Sequence, residues 1–220
     1  MAEQFTFWSF DMDLDPYDRE ALARELDQVP EEYWYYSAFR RCDLLILYST
    51  SGRFVQKDLV QSQGSLDWSP PSAHTPLLRE FAAEKLFPLF KPMGRIAIIR
   101  TRPGQNMAVH IDCSKKNFDQ MNAKFRLVLR GRIDTLYFFD REGNKTYIRS
   151  NNPAYVMDGA HVHAMDNTGD EVKYTLSVGS PWMGEGPIND LLKENGLERL
   201  DLSKPDFNPE WEDPLVKEPY

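Results

Sequence analysis

The sequence predicts a mainly β protein: a jelly-roll core (a cupin-like double-stranded β-helix) with N-terminal α-helices packed on one sheet. From Gly94 onward eight short β-rich runs follow one another, "RIAIIRTR", "NMAVHID", "KFRLVLRG", "TLYFFD", "TYIRS", "PAYVMD", "HVHAMD" and "VKYTLSVG". Turn residues separate most of them, at Pro103-Gly104, Gly143-Asn144, Asn151-Asn152-Pro153, Asp158-Gly159 and Gly169. No helical period fits this stretch, whereas helical patterns come before it.

Taken in order, Asp15 and Pro16 are expected to cap and open a first helix, with Ala21, Leu22 and Leu26 as its apolar face until Pro30. The aromatic run "EEYWYYSAF" follows; Tyr33, Trp34, Tyr35 and Tyr36 are expected to cover the core. "DLLILYS" reads as a strand closed by Ser51-Gly52, and 61–73 as a polar, Pro-rich loop. Thr75-Pro76 starts a second helix with Leu78, Phe81, Ala82 and Leu86 on one face. After Trp182, "INDLLKENGL" reads as a short helix, and the acidic tail from Asp201 as an extended surface segment. The chain thus divides into an extension over 1–93, a core over 94–182 and a tail over 183–220, all one domain.

Composition narrows the partners. The 220 residues are 41% hydrophobic, enough for one sizeable core. A net charge of −8 argues against a broad nucleic-acid or anionic-membrane footprint while leaving room for a local basic pocket. Cys42 and Cys113 have no metal-type spacing, the N-terminus has no signal-peptide pattern, and "LLILY" is too short to span a bilayer. A cytoplasmic protein is expected.

Chemistry enters at "NMAVHIDCS". In a strand, residues i and i+2 share a face, so His110 and Asp112 project together. Such a pair supplies two ligands for a divalent metal. A histidine from a distant strand would complete a 2-His-1-carboxylate triad with open positions, as a non-haem Fe(II) oxygenase requires. By itself a His-x-Asp pair more often is a strand histidine bonded to a nearby carboxylate.

The wider spacing is more specific. "RIAIIRTRPGQNMAVHID", then "KFRLVLRG", then "YVMDGAHVHAMDNTGDEVKYTLSV" resembles the aspartyl/asparaginyl β-hydroxylase-like branch of the 2-oxoglutarate/Fe(II)-dependent dioxygenases, over about 94–178. In that family an Asp lies five residues before the distal His ligand, an Asn four after it, a Gly six after and a basic residue ten after. His163 meets these offsets through Asp158, Asn167, Gly169 and Lys173; His161 meets none. The resemblance implies His110, Asp112 and His163 as iron ligands and Lys173, in place of the usual Arg, as the partner of the distal carboxylate of 2-oxoglutarate. It also places Lys124 and Arg126, where the family often has Arg-x-His, near that cosubstrate. The implied reaction consumes O₂ and 2-oxoglutarate, releases succinate and CO₂, and hydroxylates a C–H of an Asp-, Asn- or Pro-type side chain, free or in a peptide.

Other residues carry less. His161 is a candidate neighbour of the metal, a substrate contact or a packed residue, and His74 is expected at the surface. Arg100 and Arg102 read as a solvated edge or a contact for an acidic group, Arg130 and Arg132 as edge-strand charges. Cys113 reads as a small structural residue, Asn167 as support for a turn, and the loop 114–122 as a place for substrate choice. Two further readings stay open: a cupin-like metal enzyme that uses no 2-oxoglutarate, and a non-catalytic jelly-roll binding protein.

Overall fold

The computed structural model describes residues 4–50, 65–113, 117–179 and 186–205. In chain order its strands and helices are β1 (Phe7–Phe10), α1 (Arg19–Leu26), β2 (Tyr35–Ser37), β3 (Cys42–Thr50), β4 (Leu66–Trp68), α2 (Pro76–Phe81), β5 (Ile96–Thr101), β6 (Ala123–Arg130), β7 (Leu136–Phe139), β8 (Lys145–Tyr147), β9 (Ala154–Asp158), β10 (His163–Met165), β11 (Lys173–Val178), α3 (Pro187–Asn195) and β12 (Gly196–Leu200). A large antiparallel sheet runs β12-β1-β9-β6-β11-β5-β3-β2, with β4 on β3, and a small one runs β10-β7-β8. This is a mainly β, two-sheet jelly roll.

Both faces of the large sheet are buried, and the alternation of β6 and β11 shows why. Phe125, Leu127 and Leu129 with Tyr174, Leu176 and Val178 join a core that includes Leu22, Ala23 and Leu26 of α1 and Leu78 and Phe81 of α2. Lys124, Arg126 and Val128, with Lys173, Thr175 and Ser177, take the opposite face by strand alternation. There Val128 packs with Phe7, Tyr155 and Met157 against Leu136 and Phe138 of the small sheet. A second cluster joins Leu44 and Ile99 to Met107 and Met165 between the sheets. The middle of the space between the sheets is therefore polar and buried, which is costly unless the groups are paired or hold a ligand.

Several elements differ from the sequence reading, each for a local reason. α1 begins at Arg19, because Asp18 in extended conformation accepts a hydrogen bond from the Glu20 amide at 3.0 Å and caps it; Asp15 and Pro16 precede it. "NMAVHID" forms no continuous strand: it is an extended segment tied to β10 by bridges at Asn106↔Asp166 and His110↔His163. β1 and β12 were not anticipated; they pair with each other and extend the large sheet beyond β9. β6 is an interior strand, so Arg130 blunts no edge and instead pairs with Glu20 at 2.5 Å and Asp27 at 2.9 Å beside α1. Of the aromatic run, Trp34 is buried and Tyr36 is 52% exposed. Trp182, residues 114–116 of the loop assigned to substrate choice and the tail from 206 lie outside the described residues. Among the described residues no helix is long and apolar enough to cross a membrane.

Candidate metal centre

Three elements bring the triad together. The bridge between His110 and His163 exchanges both backbone hydrogen bonds, His110 N to His163 O and His163 N to His110 O, each 3.0 Å. Asp112 is held two residues on by its amide, which donates to Gly159 O at 2.6 Å, and by its carbonyl, which accepts from Asn122 Nδ2 at 2.9 Å. One nitrogen of each imidazole and one oxygen of Asp112 lie within 4.8 Å of one another. His110 Nε2 is 3.5 Å from Asp112 Oδ1, and His163 Nε2 is 3.9 Å from Oδ2.

The imidazoles are set up as ligands by what their other nitrogens touch. His110 Nδ1 lies 2.7 Å from Ala108 O, and His163 Nδ1 lies 2.7 Å from His161 O. A carbonyl only accepts, so each Nδ1 carries the proton and each Nε2 keeps its lone pair for a metal. Burial, with the neighbouring His110, pushes His163 down to about 3 and keeps it neutral. Burial by itself would raise Asp112; the His110 imidazole and the Arg40 guanidinium beside it hold the carboxyl well below the usual range. Two imidazoles and one carboxylate, all nearly buried, form a donor set suited to Fe(II) and related divalent ions.

Gly159 makes this packing feasible. A Cβ there would meet Asp112 Cβ and Lys124 Cγ at 3.0 Å each and Asn122 O at 3.2 Å. Asp158, just before it, accepts from the amides of Asn122 and Ala160 at 2.8 and 2.9 Å and pairs with Lys204 at 2.8 Å. Asp158 therefore fixes the loop that delivers Asp112 and His163. Asn167 closes the β10–β11 turn, donating to Thr101 O at 3.0 Å and Glu171 O at 2.9 Å. His161 is buried with Nε2 2.7 Å from Phe139 O and its ring edge-on to Phe138. It packs, and its carbonyl orients His163.

The three basic residues proposed for the cosubstrate are spread along the barrel. Arg126 is next to the triad, 3.2 Å from Asp112 Oδ2 and bonded to Ser177 Oγ. Lys173 lies four residues along β11 from Ser177, about 13 Å at strand rise. Its Nζ donates to Arg132 O at 2.5 Å and Thr135 Oγ1 at 2.6 Å, and burial pushes it down to about 7. Gly131, at φ +91°, lets the β6–β7 turn lie on that side chain: a Cβ there would meet Lys173 Cβ at 2.9 Å. Lys124 occupies the other end of β6, beside Asp112 and Gly159, and burial pushes it down to about 8.

Some of the site was not anticipated. Thr101, opposite Lys173 on β5, and Thr175, two residues on along β11, are buried, and among the described residues neither hydroxyl has a hydrogen-bond partner. Phe39 and Arg40, in the turn between β2 and β3, reach the triad: the Phe39 ring meets the His110 ring edge-on at 6.0 Å, and Arg40 Nη2 is 3.5 Å from Asp112 Oδ1. Arg100 and Arg102, by contrast, serve the far side of the sheet. Arg100 stacks on Trp34 at 4.1 Å and, with Arg102, pairs with Glu31 and Asp43. His74 is exposed, as expected.

No family model matches this sequence, and no curated protein matches it. Solved structures do. The chain is similar to the non-heme alpha-ketoglutarate-dependent carbocyclase SnoK from nogalamycin biosynthesis, with 12% identity and a TM-score of 0.50 over 92% of this chain and 90% of that one. It is also similar to a Pseudomonas putida prolyl-4-hydroxylase (16% identity, TM-score 0.44, 78% of this chain and 91% of that one). A third is a Trichoplax adhaerens prolyl hydroxylase in complex with a hypoxia inducible factor peptide (10% identity, TM-score 0.45, 78% of this chain and 82% of that one). The first of these likenesses is one of fold.

Proposed function

We propose that this chain is a non-haem Fe(II)- and 2-oxoglutarate-dependent dioxygenase of the aspartyl/asparaginyl β-hydroxylase-like branch, acting as a hydroxylase on an amino-acid side chain of Asp, Asn or Pro type, free or in a peptide. The observation that carries the reading is the convergence of His110, Asp112 and His163 within 4.8 Å, with both Nδ1 protons committed to backbone carbonyls. The branch and the side-chain class rest on the sequence spacing around His163.

His110, Asp112 and His163 would hold the iron, and Arg126 would keep Asp112 oriented from behind. Lys173 would face the distal carboxylate of 2-oxoglutarate, with the Thr101 and Thr175 hydroxyls as further donors. Those two buried, unpartnered oxygens beside a buried ammonium are what a bound carboxylate would satisfy. When bound, the iron and 2-oxoglutarate supply the oxidising power, drawn from O₂, with succinate and CO₂ as by-products. The rest of the chain excludes water: apolar walls of Met107, Met165, Phe138 and Ile99 flank the polar centre.

Support for this reaction over a cupin-like enzyme that needs no 2-oxo acid comes from Lys173, a buried basic residue inside the barrel, with two hydroxyls nearby that have no hydrogen-bond partner among the described residues. The test is turnover: purified chain with Fe(II), 2-oxoglutarate and O₂ is expected to form succinate, increased by the right substrate. Lack of both 2-oxoglutarate binding and succinate formation contradicts the proposal.

A further inference from the structure

We infer that Lys204, in the segment that follows β12, is a positioning residue of the metal centre: its ammonium locks Asp158 to the loop 117–122 and so holds Asp112 where it can bind the metal. This role deepens the oxygenase reading and rests on it, since that reading makes His110, Asp112 and His163 the metal ligands.

The path from Lys204 to the metal ligand is short. Lys204 Nζ donates to Phe118 O at 2.7 Å and to Gln120 O at 3.3 Å, and it pairs with Asp158 Oδ2 at 2.8 Å. An ammonium carries three protons, and here three acceptors take them. The other carboxylate oxygen, Asp158 Oδ1, accepts from the amides of Asn122 and Ala160 at 2.8 and 2.9 Å. Asn122 and Gly159 are joined in turn, Gly159 N donating to Asn122 O at 2.8 Å. Between them they take both backbone groups of Asp112: its amide donates to Gly159 O at 2.6 Å, and its carbonyl accepts from Asn122 Nδ2 at 2.9 Å. Only Asn122 and Gly159 therefore stand between Asp112 and the carboxylate that Lys204 neutralises. A second, apolar route runs alongside. The ammonium lies 5.5 Å over the Phe118 ring, and Phe118 packs in one cluster with Ile111 and Cys113, the residues on either side of Asp112.

The lysine is needed because the acid is buried. The Asp158 side chain is 5% exposed, and among the described residues Lys204 is the one cation within ion-pair distance of it. A carboxylate in that position is costly without a counter-charge. The segment that carries Lys204 is fastened independently of the ion pair. Thr6 N donates to Leu200 O, and Leu202 N donates to Thr6 Oγ1, each at 2.9 Å. Thr6 O accepts from the Asp158 amide at 2.9 Å, so the same residue anchors the segment and the acid it serves. Loss of the ammonium thus leaves strand and segment in place while it leaves a buried charge unpaired in the turn that delivers Asp112. Asp158 must then reach for water, and Asn122 and Gly159 move with it. The cost falls on the placing of the metal ligand, because the bonds that fix Asp112 are made to those two residues.

The test uses the full chain and Mn(II), with the free-ion electron paramagnetic resonance signal giving the dissociation constant. Lys204→Met should raise that constant about 10–100-fold, the range in which groups behind metal ligands act. Lys204→Arg keeps the charge and should restore most of the affinity. Asp158→Asn should weaken the metal as well, and adding Lys204→Met to it should cost little more, because the two residues act as one pair. The coupling is reciprocal, so saturating Mn(II) should slow amide hydrogen exchange over 117–122 and 200–205 in the wild type; this measurement requires no variant to fold. Overturning results are an unchanged Mn(II) affinity in Lys204→Met, a loss that Lys204→Arg does not restore, additive effects of the two substitutions, or exchange over 200–205 that ignores the metal. A wild type that binds no Mn(II) sinks the oxygenase reading and the role of Lys204 together. A wild type and a Lys204→Met that bind it equally well sink the role of Lys204 and leave that reading standing.

Discussion

If Lys173 holds 2-oxoglutarate as proposed, it should couple cosubstrate binding to pH in the range where few lysines titrate. Burial pushes its ammonium down to about 7 in the free protein. A dianion bound against it would favour the charged form and raise that value again, so binding above pH 7 takes up a proton. The free protein then loses the charge on Lys173 as pH rises past about 7, and the dissociation constant for 2-oxoglutarate should rise between pH 7.5 and pH 8.5, by up to about tenfold. Calorimetric titration of the Mn(II)-loaded protein at the two pH values measures it. Lys173→Arg, always charged, should bind with a flat profile, and Lys173→Met should bind weakly and also flat. A constant dissociation constant in the wild type, or a slope surviving in Lys173→Met, would refute the assignment. The sign for folding follows from the same depression. Between about pH 7 and the unfolded lysine value near 10.4 the unfolded chain binds more protons, so this residue's contribution makes the free protein more stable as pH rises through that window.

Three further outcomes follow from the geometry. His163→Ala should abolish tight metal binding, whereas His161→Ala should retain it and lose stability by about 1–3 kcal/mol from a buried packing defect; metal titration with thermal unfolding separates the two. Gly159→Ala should cost about 1–3 kcal/mol of overpacking and weaken metal binding by about 10–100-fold, because the new methyl meets Asp112 Cβ at 3.0 Å; unaltered metal affinity would show that the loop yields freely. Thr175→Val should leave metal affinity unchanged while weakening 2-oxoglutarate binding about fivefold or more, and unchanged binding would remove that hydroxyl from the cosubstrate's surroundings.

What the sequence revealed and what it concealed divide along the range of the interactions. His110, Asp112 and His163 were legible because one ligand pair is set by strand alternation, and the third by offsets to Asp158, Asn167 and Lys173. Seven of the eight β-rich runs form strands; "NMAVHID" does not, since only two bridges reach it. Phe39 and Arg40 were hidden, because a polar-looking turn lies 72 residues from the carboxylate it meets and nothing local marks it. Thr101 and Thr175 look like ordinary strand residues; their significance appears only when both faces of the sheet turn out to be buried. β1 and β12 escaped notice for a related reason: each is short and gains its place from the other, 189 residues away where Ser9 bonds Glu198. The helix start moved from Asp15 to Asp18 because acids and a proline crowd that turn, and the actual cap is decided by which carboxylate meets a free amide.

The central claim is that His110, Asp112 and His163 hold an iron that 2-oxoglutarate then chelates. Anaerobic addition of Fe(II) and 2-oxoglutarate together to the purified chain should produce a weak visible absorption band that neither gives alone, absent in His163→Ala and present in His161→Ala. A band missing from the wild type, or one that survives loss of His163 and disappears with His161, would contradict the account.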